Sequence, residues 1–230
     1  MLHAMLRAAA GTRTYDAEVL ADNPVAYWRL GDTAGPYVDE IGTADLIVSG
    51  NPNEGATGAI NGDIDTAISF DGTDDFAQYD IAAWTGNFTV ELWAKSNANG
   101  QTQYSSAFAS ASDTLINSFQ IDLNGSNSWG FTGTDDGGTN VLSVVFGAAP
   151  TDAFVHLVAV CDGVDTSLYY NGAFVLSLTV SFTTGKFVNY IFGRNRSGNN
   201  YANAVIDEAA IYDFALSPAR IEAHYNAGTA

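Results

Sequence analysis

Residues 88–95 read Phe88-Thr89-Val90-Glu91-Leu92-Trp93-Ala94-Lys95, a stretch in which apolar side chains alternate with polar ones. Successive side chains of a β-strand point to opposite faces of the sheet, so this stretch predicts a strand with one buried and one wetted face. The stretch from Val155 to Val160 is apolar except for His156 and predicts a strand in the middle of a sheet. The centre of the fold is therefore expected to be a β-sheet.

Turn dipeptides separate the other β-branched and aromatic runs of the chain. Asn-Gly or Asp-Gly begins at positions 61, 71, 124, 136, 162 and 171, and these pairs supply the positive φ angles of tight hairpin turns. Strands at this spacing indicate an antiparallel sandwich or barrel. We predict strands near 25–31, 66–71, 75–80, 87–95, 117–123, 128–133, 141–146, 154–161, 166–171, 173–180, 188–193 and 204–213.

One helix is predicted, close to the C-terminus. Ser217 is placed to cap it, and Pro218 suits its first turn. Ile221 and Tyr225 share one face, and Gly228 is placed to end the helix. We expect this short helix to pack against the edge of the sandwich.

The composition is that of a folded, strongly acidic protein. The 230 residues include 26 acids and 8 bases, for a net charge of −18, and 47% are hydrophobic. This excludes a disordered chain and disfavours nucleic acid, which needs clustered bases. The longest uncharged stretch, Thr166 to Gly185, is broken by Asn171-Gly172, so no membrane span is expected. The single cysteine, Cys161, excludes an intrachain disulfide framework and a multi-cysteine zinc site.

The first 14 residues differ from the rest in charge. They hold Arg7 and Arg13 but no acid, and their apolar run is too short for a secretory signal. We therefore divide the chain into an N-terminal arm, 1–14, and one domain, 15–230. The arm is either a frayed terminus or a segment that docks on the acidic surface of a neighbouring subunit.

Five segments in order carry a family resemblance. They are 25–32 (VAYWRLGD), 67–75 (AISFDGTDD), 88–93 (FTVELW), 156–163 with 168–172 (HLVAVCDG and LYYNG), and 205–212 with 215–217 (VIDEAAIY and ALS). Together they resemble the laminin-G-like, concanavalin A-like lectin/glucanase superfamily. The resemblance implies an all-β fold, a jelly roll of two antiparallel sheets with a short C-terminal helix. It leaves activity open, because this fold hosts lectins, glycosidases and structural proteins.

Catalytic signatures are missing from the sequence. Glycoside hydrolysis needs two carboxyl groups beside the scissile bond, and the E-x-D-x-x-E motif of the laminarinase-like members is absent. The sequence also lacks a G-x-S-x-G elbow, and His3, His156 and His224 are dispersed. We expect a protein that is not an enzyme, with a glycosidase as the weakest alternative.

The resemblance implies a structural calcium site where the first strand meets the last. Carried over by position, it nominates Asp32, after Leu30-Gly31, and Asp207. Calcium prefers such oxygen ligands. The alternative is that Asp207 is a buried carboxylate that holds a turn and that Asp32 is a turn residue.

Two loops offer the aromatic and hydrogen-bonding groups that sugars need. Trp129 follows a Gly- and Ser-rich turn, and Arg194, Arg196, Asn199 and Tyr201 lie within eight residues. Arg194 and Arg196 are one strand step apart and are placed to meet a carboxylate from the same side. The alternatives are salt bridges for the arginines and an inward-facing, core position for Trp129, as expected for Trp28 and Trp93.

These observations predict a non-catalytic protein that works by binding. Stand-alone domains that resemble this family are common in tailed viruses, which implies a capsid decoration or fibre protein on the virion surface. Its partners would be proteins of a larger assembly, further copies of this chain, or surface glycans. The main alternative is a free, extracellular carbohydrate-binding module.

Overall fold

The computed structural model describes residues 13–81, 86–110, 118–135, 137–182 and 188–230, without the side chains of 142 and 143. The elements in chain order are α1 (Tyr15–Ala21), β1 (Ala26–Trp28), β2 (Ile47–Ser49), β3 (Asn53–Thr57), β4 (Thr66–Asp71), β5 (Phe76–Asp80), β6 (Phe88–Ser96), β7 (Ser105–Ser110), β8 (Ser118–Asn124), β9 (Ser128–Thr134), β10 (Asn140–Ala148), β11 (Val155–Cys161), β12 (Thr166–Tyr170), β13 (Ala173–Leu178), β14 (Asn189–Phe192), β15 (Asn203–Tyr212) and α2 (Pro218–Gly228).

The strands form two antiparallel sheets. The eight-stranded sheet runs β13-β12-β11-β6-β15-β4-β3, and β1 also pairs with β15. The seven-stranded sheet runs β10-β9-β8-β7-β14-β5-β2. The predicted two-sheet sandwich with a C-terminal helix is thereby confirmed, as is the position of β11 in the middle of a sheet, between β12 and β6.

The main core fills the space between the sheets. In β8, Phe119, Ile121 and Leu123 point into this core, and Trp28 of β1 joins them from the opposite sheet. Because side chains alternate along a strand, the residues between them in β8 point away from the core. The outward face of the seven-stranded sheet is therefore polar at β8.

A second hydrophobic cluster covers the other face of the eight-stranded sheet. Tyr15 and Val19 of α1 and Ile221 of α2 pack there against sheet residues that include Trp93. The prediction that one face of the strand 88–95 is in contact with water is therefore wrong. Apart from Lys95, which is half-buried, every residue of β6 is buried, because the two helices lie over the strand.

The C-terminal helix differs from its prediction in three ways. It lies on a sheet face and not at the sandwich edge. Ser217 is the N-cap residue but makes no side-chain capping bond, and Gly228 is still helical, with Thr229 as the C-cap. Gly228 is required for another reason, because a Cβ there would lie 2.5 Å from Cζ2 of Trp93.

Three strands and one helix lie outside the predicted ranges, namely β2, β3, β7 and α1. Most of the predicted N-terminal arm, residues 1–12, falls outside the described residues. None of the helices in the described ranges is both long enough and apolar enough to cross a membrane.

Candidate functional site

A groove on the outward face of the seven-stranded sheet is the candidate site. We call it the polar groove, and its volume is about 300 Å³. Residues of β8, β9 and the loop after β14 line it together with one residue that precedes β7. The lining residues are Tyr104, Gln120, Thr132, Asn195, Arg196, Ser197, Asn199 and Asn200.

Gln120 of β8 lies at the base of the groove, and Asp122 follows it on the same face of the strand. Gln120 pairs with Thr132 across the ladder to β9, so their side chains emerge side by side. Nε2 of Gln120 donates to Oδ2 of Asp122 at 2.8 Å. Asp122 is completely buried, and its Oδ1 has no hydrogen-bond partner within the described ranges. Burial raises the pKa of Asp122 to about 7, because a charged carboxylate loses its hydration there.

The loop over the groove is held by one buried amide. Arg194 and Tyr201 form an isolated antiparallel bridge at its base. Oδ1 of Asn195 accepts from the backbone N–H groups of Asn199 at 3.0 Å and Asn200 at 3.2 Å, and its Nδ2 donates to Oδ1 of Asn199 at 2.9 Å. These bonds fix the loop shape before any ligand arrives.

Arg196 reaches from this loop across β8. Its Nη1 donates to the carbonyl and hydroxyl oxygens of Ser118 at 2.8 and 2.7 Å. Burial lowers the pKa of the Arg196 guanidinium, and the charge of Asp122 opposes this shift. No side chain in the described part of the chain receives a hydrogen bond from Nε or Nη2 of Arg196.

Arg194 lies on the same face, toward the sheet edge. Its guanidinium carbon is 3.6 Å from the centre of the Phe76 ring, and its Nη2 donates to Oε1 of Gln78 at 2.9 Å. Its Nε is buried without a partner among the described residues. Neither Arg194 nor Arg196 forms an ion pair with a carboxylate of the described residues, and the alternative of salt bridges stays a prediction for the rest of the chain.

Tyr104 is a site residue that the sequence did not indicate. It lines the groove with φ of 71°, in the left-handed region that large side chains rarely adopt. Its N–H donates to the carbonyl of Leu123, which holds this conformation at the start of β7. Such backbone strain is concentrated at binding sites, but no local pattern in the sequence reveals it.

The remaining predicted glycan residues have different positions. Asn199 is exposed on the groove rim, whereas Tyr201 packs beside Phe76, with ring centroids 6.4 Å apart, and does not line the groove. Trp129 is fully buried in the main core. A buried ring cannot stack on a sugar, so the prediction of Trp129 as a glycan-binding residue is wrong, and its alternative, an inward-facing residue, is confirmed.

The two predicted calcium ligands lie away from the groove. Oδ2 of Asp207 accepts from the N–H of Ala59 at 2.6 Å, and its buried Oδ1 has no partner in the described ranges. Burial and the neighbouring Glu208 raise the pKa of Asp207. Asp32 is partly exposed and accepts from the N–H of Val38 at 3.4 Å.

The surroundings of Asp32 and Asp207 suit a calcium ion only in part. The orphaned oxygen of Asp207 suits a cation, because a bound cation would compensate its lost hydration. However, the Arg29 guanidinium already lies within 3.2 Å of the carboxylates of Asp65 and Glu208. The three-carboxylate group within the described residues is elsewhere, at Asp71, Asp74 and Asp75. Calcium binding by Asp32 and Asp207 stays a prediction.

Comparison of this chain with solved protein structures supports the fold described above. Solved structures similar to this chain include domain 4 of AbnA, a GH43 extracellular arabinanase from Geobacillus stearothermophilus, in complex with arabinotriose. It is 21% identical with a TM-score of 0.65, and the match covers 88% of this chain and 98% of that domain. The botulinum neurotoxin serotype D ligand binding domain, in complex with N-acetylneuraminic acid, is 14% identical with a TM-score of 0.68 over 93% of this chain.

This chain spans about half of the neurotoxin domain, 52% of its length. No curated protein matches the sequence. The model of the concanavalin A-like lectin/glucanase superfamily matches residues 71–222, which is more than half of the chain and includes the groove. The chain belongs to the concanavalin A-like lectin/glucanase superfamily.

Proposed function

We propose that this protein is a non-catalytic carbohydrate-binding domain and that the polar groove is its binding site. The observation that carries the proposal is the groove lining, in which all eight side chains have a hydrogen-bonding group. Sugars present several hydroxyl groups that both donate and accept, and amide, hydroxyl and guanidinium groups match them. A groove of about 300 Å³ is at the small end of ligand pockets.

The rigidity of the groove supports the same function. Its floor is a β-ladder, and the Asn195 amide fixes the loop that forms its rim. A pre-organised site loses less conformational entropy when it binds a ligand. The Tyr104 ring offers an apolar surface beside these polar groups.

Two structural neighbours support a sugar as the ligand. The arabinanase domain is bound to arabinotriose, and the serotype D neurotoxin domain is bound to N-acetylneuraminic acid. At 21% and 14% identity these likenesses concern the fold. The argument that this chain itself binds a sugar therefore depends on the polar residues that line its groove.

The chemistry of the groove favours binding over hydrolysis. A glycosidase needs two carboxyl groups, one on each side of the scissile bond. Among the described residues that line the groove, none carries a carboxylate, and the neighbouring carboxylate of Asp122 is completely buried and accepts from Gln120. We therefore propose a site that holds a sugar without cleaving it.

An array of neutral and acidic oligosaccharides tests this function. We expect the wild-type protein to bind a subset of the array and Asn199→Ala to bind the same sugars about tenfold more weakly, because one hydrogen-bonding side chain is lost from the rim. Asn61→Ala is the matched control, since Asn61 is exposed and lies outside the groove. Its side-chain amide donates to the carbonyl of Ala230, the C-terminal residue. A blank array, or equal losses in both variants, would contradict the proposal.

The finer assignment, a capsid decoration or fibre protein on the virion surface, depends on the family resemblance alone. Deletion of residues 1–14 tests it. Loss of assembly with glycan binding unchanged would favour the virion role, whereas retained assembly would favour a free, extracellular binding module.

A further inference from the structure

Two arginines on the outward face form no ion pair with any described residue, although the chain is strongly acidic. The protein has 26 acidic and 8 basic residues. Other arginines form ion pairs with these acidic residues. Arg29 lies within 3.2 Å of three carboxylates, and Arg220 bonds those of Glu18 and Asp22. Arg194 and Arg196 have no ion pair among the described residues, although both are half-buried. A positive charge that is partly removed from water is stabilised by an anionic partner.

Both guanidiniums are fixed in place and keep donors free. Gln78 and the Phe76 ring hold Arg194, and Ser118 holds Arg196. Nη1 of Arg194, and Nε and Nη2 of Arg196, donate to no residue in the described ranges, whereas Nε of Arg194 is buried and closed to a ligand. The Nε and Nη2 edge of Arg196 matches the two oxygens of a carboxylate, and Nη1 of Arg194 offers one further donor. Among the eight described residues that line the groove, Arg196 alone is charged.

The two arginines are too far apart for one small anion. Arg194 is anchored on β5 and Arg196 on β8, and β14 and β7 lie between these strands. Three strand spacings of about 4.8 Å separate the anchors by about 14 Å. Beyond Arg194, a second depression of about 450 Å³ includes Phe76, Gln78 and the acidic Asp80, which accepts from Gln78. An extended ligand with spaced charges is therefore needed to reach both arginines, and the carboxylate of Asp80 disfavours a further anion beyond Arg194.

We propose that the outward face of the seven-stranded sheet binds an acidic oligosaccharide, with Arg194 and Arg196 each bound to a carboxylate on a different sugar residue. This inference rests on the proposed carbohydrate-binding function and adds the class of sugar. The net charge of −18 repels anions at long range, but physiological salt screens charges beyond about 8 Å, and direct contacts in the groove are screened much less.

The experiment is a calorimetric titration with oligogalacturonides of one to six residues and with the same oligomers fully methyl-esterified. The two series differ in charge and share the sugar, so the wild-type protein alone tests the inference without any variant. We expect the acids to bind at least about tenfold more tightly than the esters, as for a lost charge-assisted hydrogen bond. Affinity should rise with length until one oligomer reaches both arginines.

Substitutions of the two arginines test which side chains bind the carboxylates of the ligand. Arg194→Gln and Arg196→Gln should each weaken the longer acids about tenfold and weaken the esters clearly less than the acids. Arg13→Gln is the control, because Arg13 lies outside the outward face and is 3.8 Å from Glu18. The binding of a single galacturonate should be weakened by only one of the two arginine substitutions.

The outcomes separate the two proposals. If acids and esters bind equally and Asn199→Ala weakens both, the carbohydrate function is supported and the acidic class is overturned. If neither series binds while a neutral glycan binds in the array, the acidic class is again overturned. If no glycan binds at all, both proposals are contradicted.

Discussion

Nδ1 of His224 lies 2.9 Å from Oε2 of Glu91, and this buried contact ties the C-terminal helix α2 to the centre of the eight-stranded sheet. Nε2 of the same ring lies 3.0 Å from Oδ2 of Asp22, directly after α1. The hydroxyl of Tyr15 donates to Oε1 of Glu91 at 3.0 Å. Since both ring nitrogens face carboxylates, the protonated imidazole satisfies both and joins the two helices to the sheet.

This contact predicts a pH-dependent stability. Burial alone would lower the pKa of His224, but Glu91 and then Asp22 raise it above the ordinary 6.5. The stability that His224 contributes is therefore complete below about 6.5 and is lost as the pH rises through the raised pKa. For Glu91 the effect of burial is outweighed by His224, so its pKa lies below 4.5 and its contribution is lost as the pH falls through that lower value.

We expect His224→Gln to lower the free energy of unfolding by about 3–5 kcal/mol between pH 4.5 and 6.5, because it leaves a buried charge unpaired. The difference from wild type should shrink above this window. His156 lies 3.9 Å from Glu91 but stays neutral over most of this window, because burial lowers its pKa to about 4. Urea unfolding at each pH measures it, and a difference that is constant from pH 5 to pH 9 would refute the ion pair.

The close approach of Gly228 to Trp93 gives a second prediction. A Cβ at 228 would lie 2.5 Å from the indole, which is itself packed against Tyr225 and Tyr15. Gly228→Ala should therefore lower the free energy of unfolding by about 1–2 kcal/mol through overpacking, although alanine is otherwise the better helix residue. Thermal unfolding measures this change.

The matched control for Gly228→Ala is Gly125→Ala. No atom lies within 4 Å of a Cβ at 125, and its φ is not in the left-handed region. The control should stay within about 0.5 kcal/mol of wild type. Equal effects at both positions would show that contact with Trp93 is not the cause.

Substitutions of Tyr104 and Trp129 should have opposite effects on stability and on glycan affinity. Tyr104→Asn removes the ring from the groove and places at φ 71° a residue that tolerates this conformation, so stability should be unchanged or higher. Its glycan affinity should fall roughly three- to tenfold with the loss of the ring. Trp129→Phe should lower stability by about 1–3 kcal/mol and leave affinity unchanged, because its ring is in the core. Calorimetry and glycan titration of both variants measure these effects, and the reverse pattern would place the site elsewhere.

Calcium provides a further test, at Asp207. If calcium binds there, millimolar calcium should raise the melting temperature, and Asp207→Asn should abolish that rise. In chelator, Asp207→Asn should be no less stable than wild type, because it removes the buried orphan carboxylate. Asp74→Asn is the control for the exposed acidic cluster. Identical melting curves in calcium and in chelator would remove the calcium prediction.

Alternation and turn residues were sufficient to predict much of the sandwich, because they are local signals. The twelve predicted ranges all contain strands. Small and polar residues dominate β3 and β7, so these strands lack the alternating pattern, whereas no local feature distinguishes the three-residue β2 from the equally short β1. The burial of Glu91 was not predictable, since the helices that cover it are distant in sequence.

The site was less predictable than the fold. The loop that carries Arg194 and Arg196 was found because basic residues are rare in this chain. Gln120, Asp122 and Thr132 were missed, because what brings them to the groove is the pairing of β8 with β9 and the distant loop above them. The sequence leaves Trp129 with two roles, because a tryptophan beside a turn gives no local sign of which face it occupies.

The most direct measurement for sugar binding in the polar groove is a crystal structure of the protein with the best-binding oligosaccharide. We predict sugar density over Gln120 and Thr132, beside Tyr104, with a ligand oxygen within hydrogen-bond distance of Nε or Nη2 of Arg196. Density on any other face, with the groove free of sugar, would contradict the proposed function.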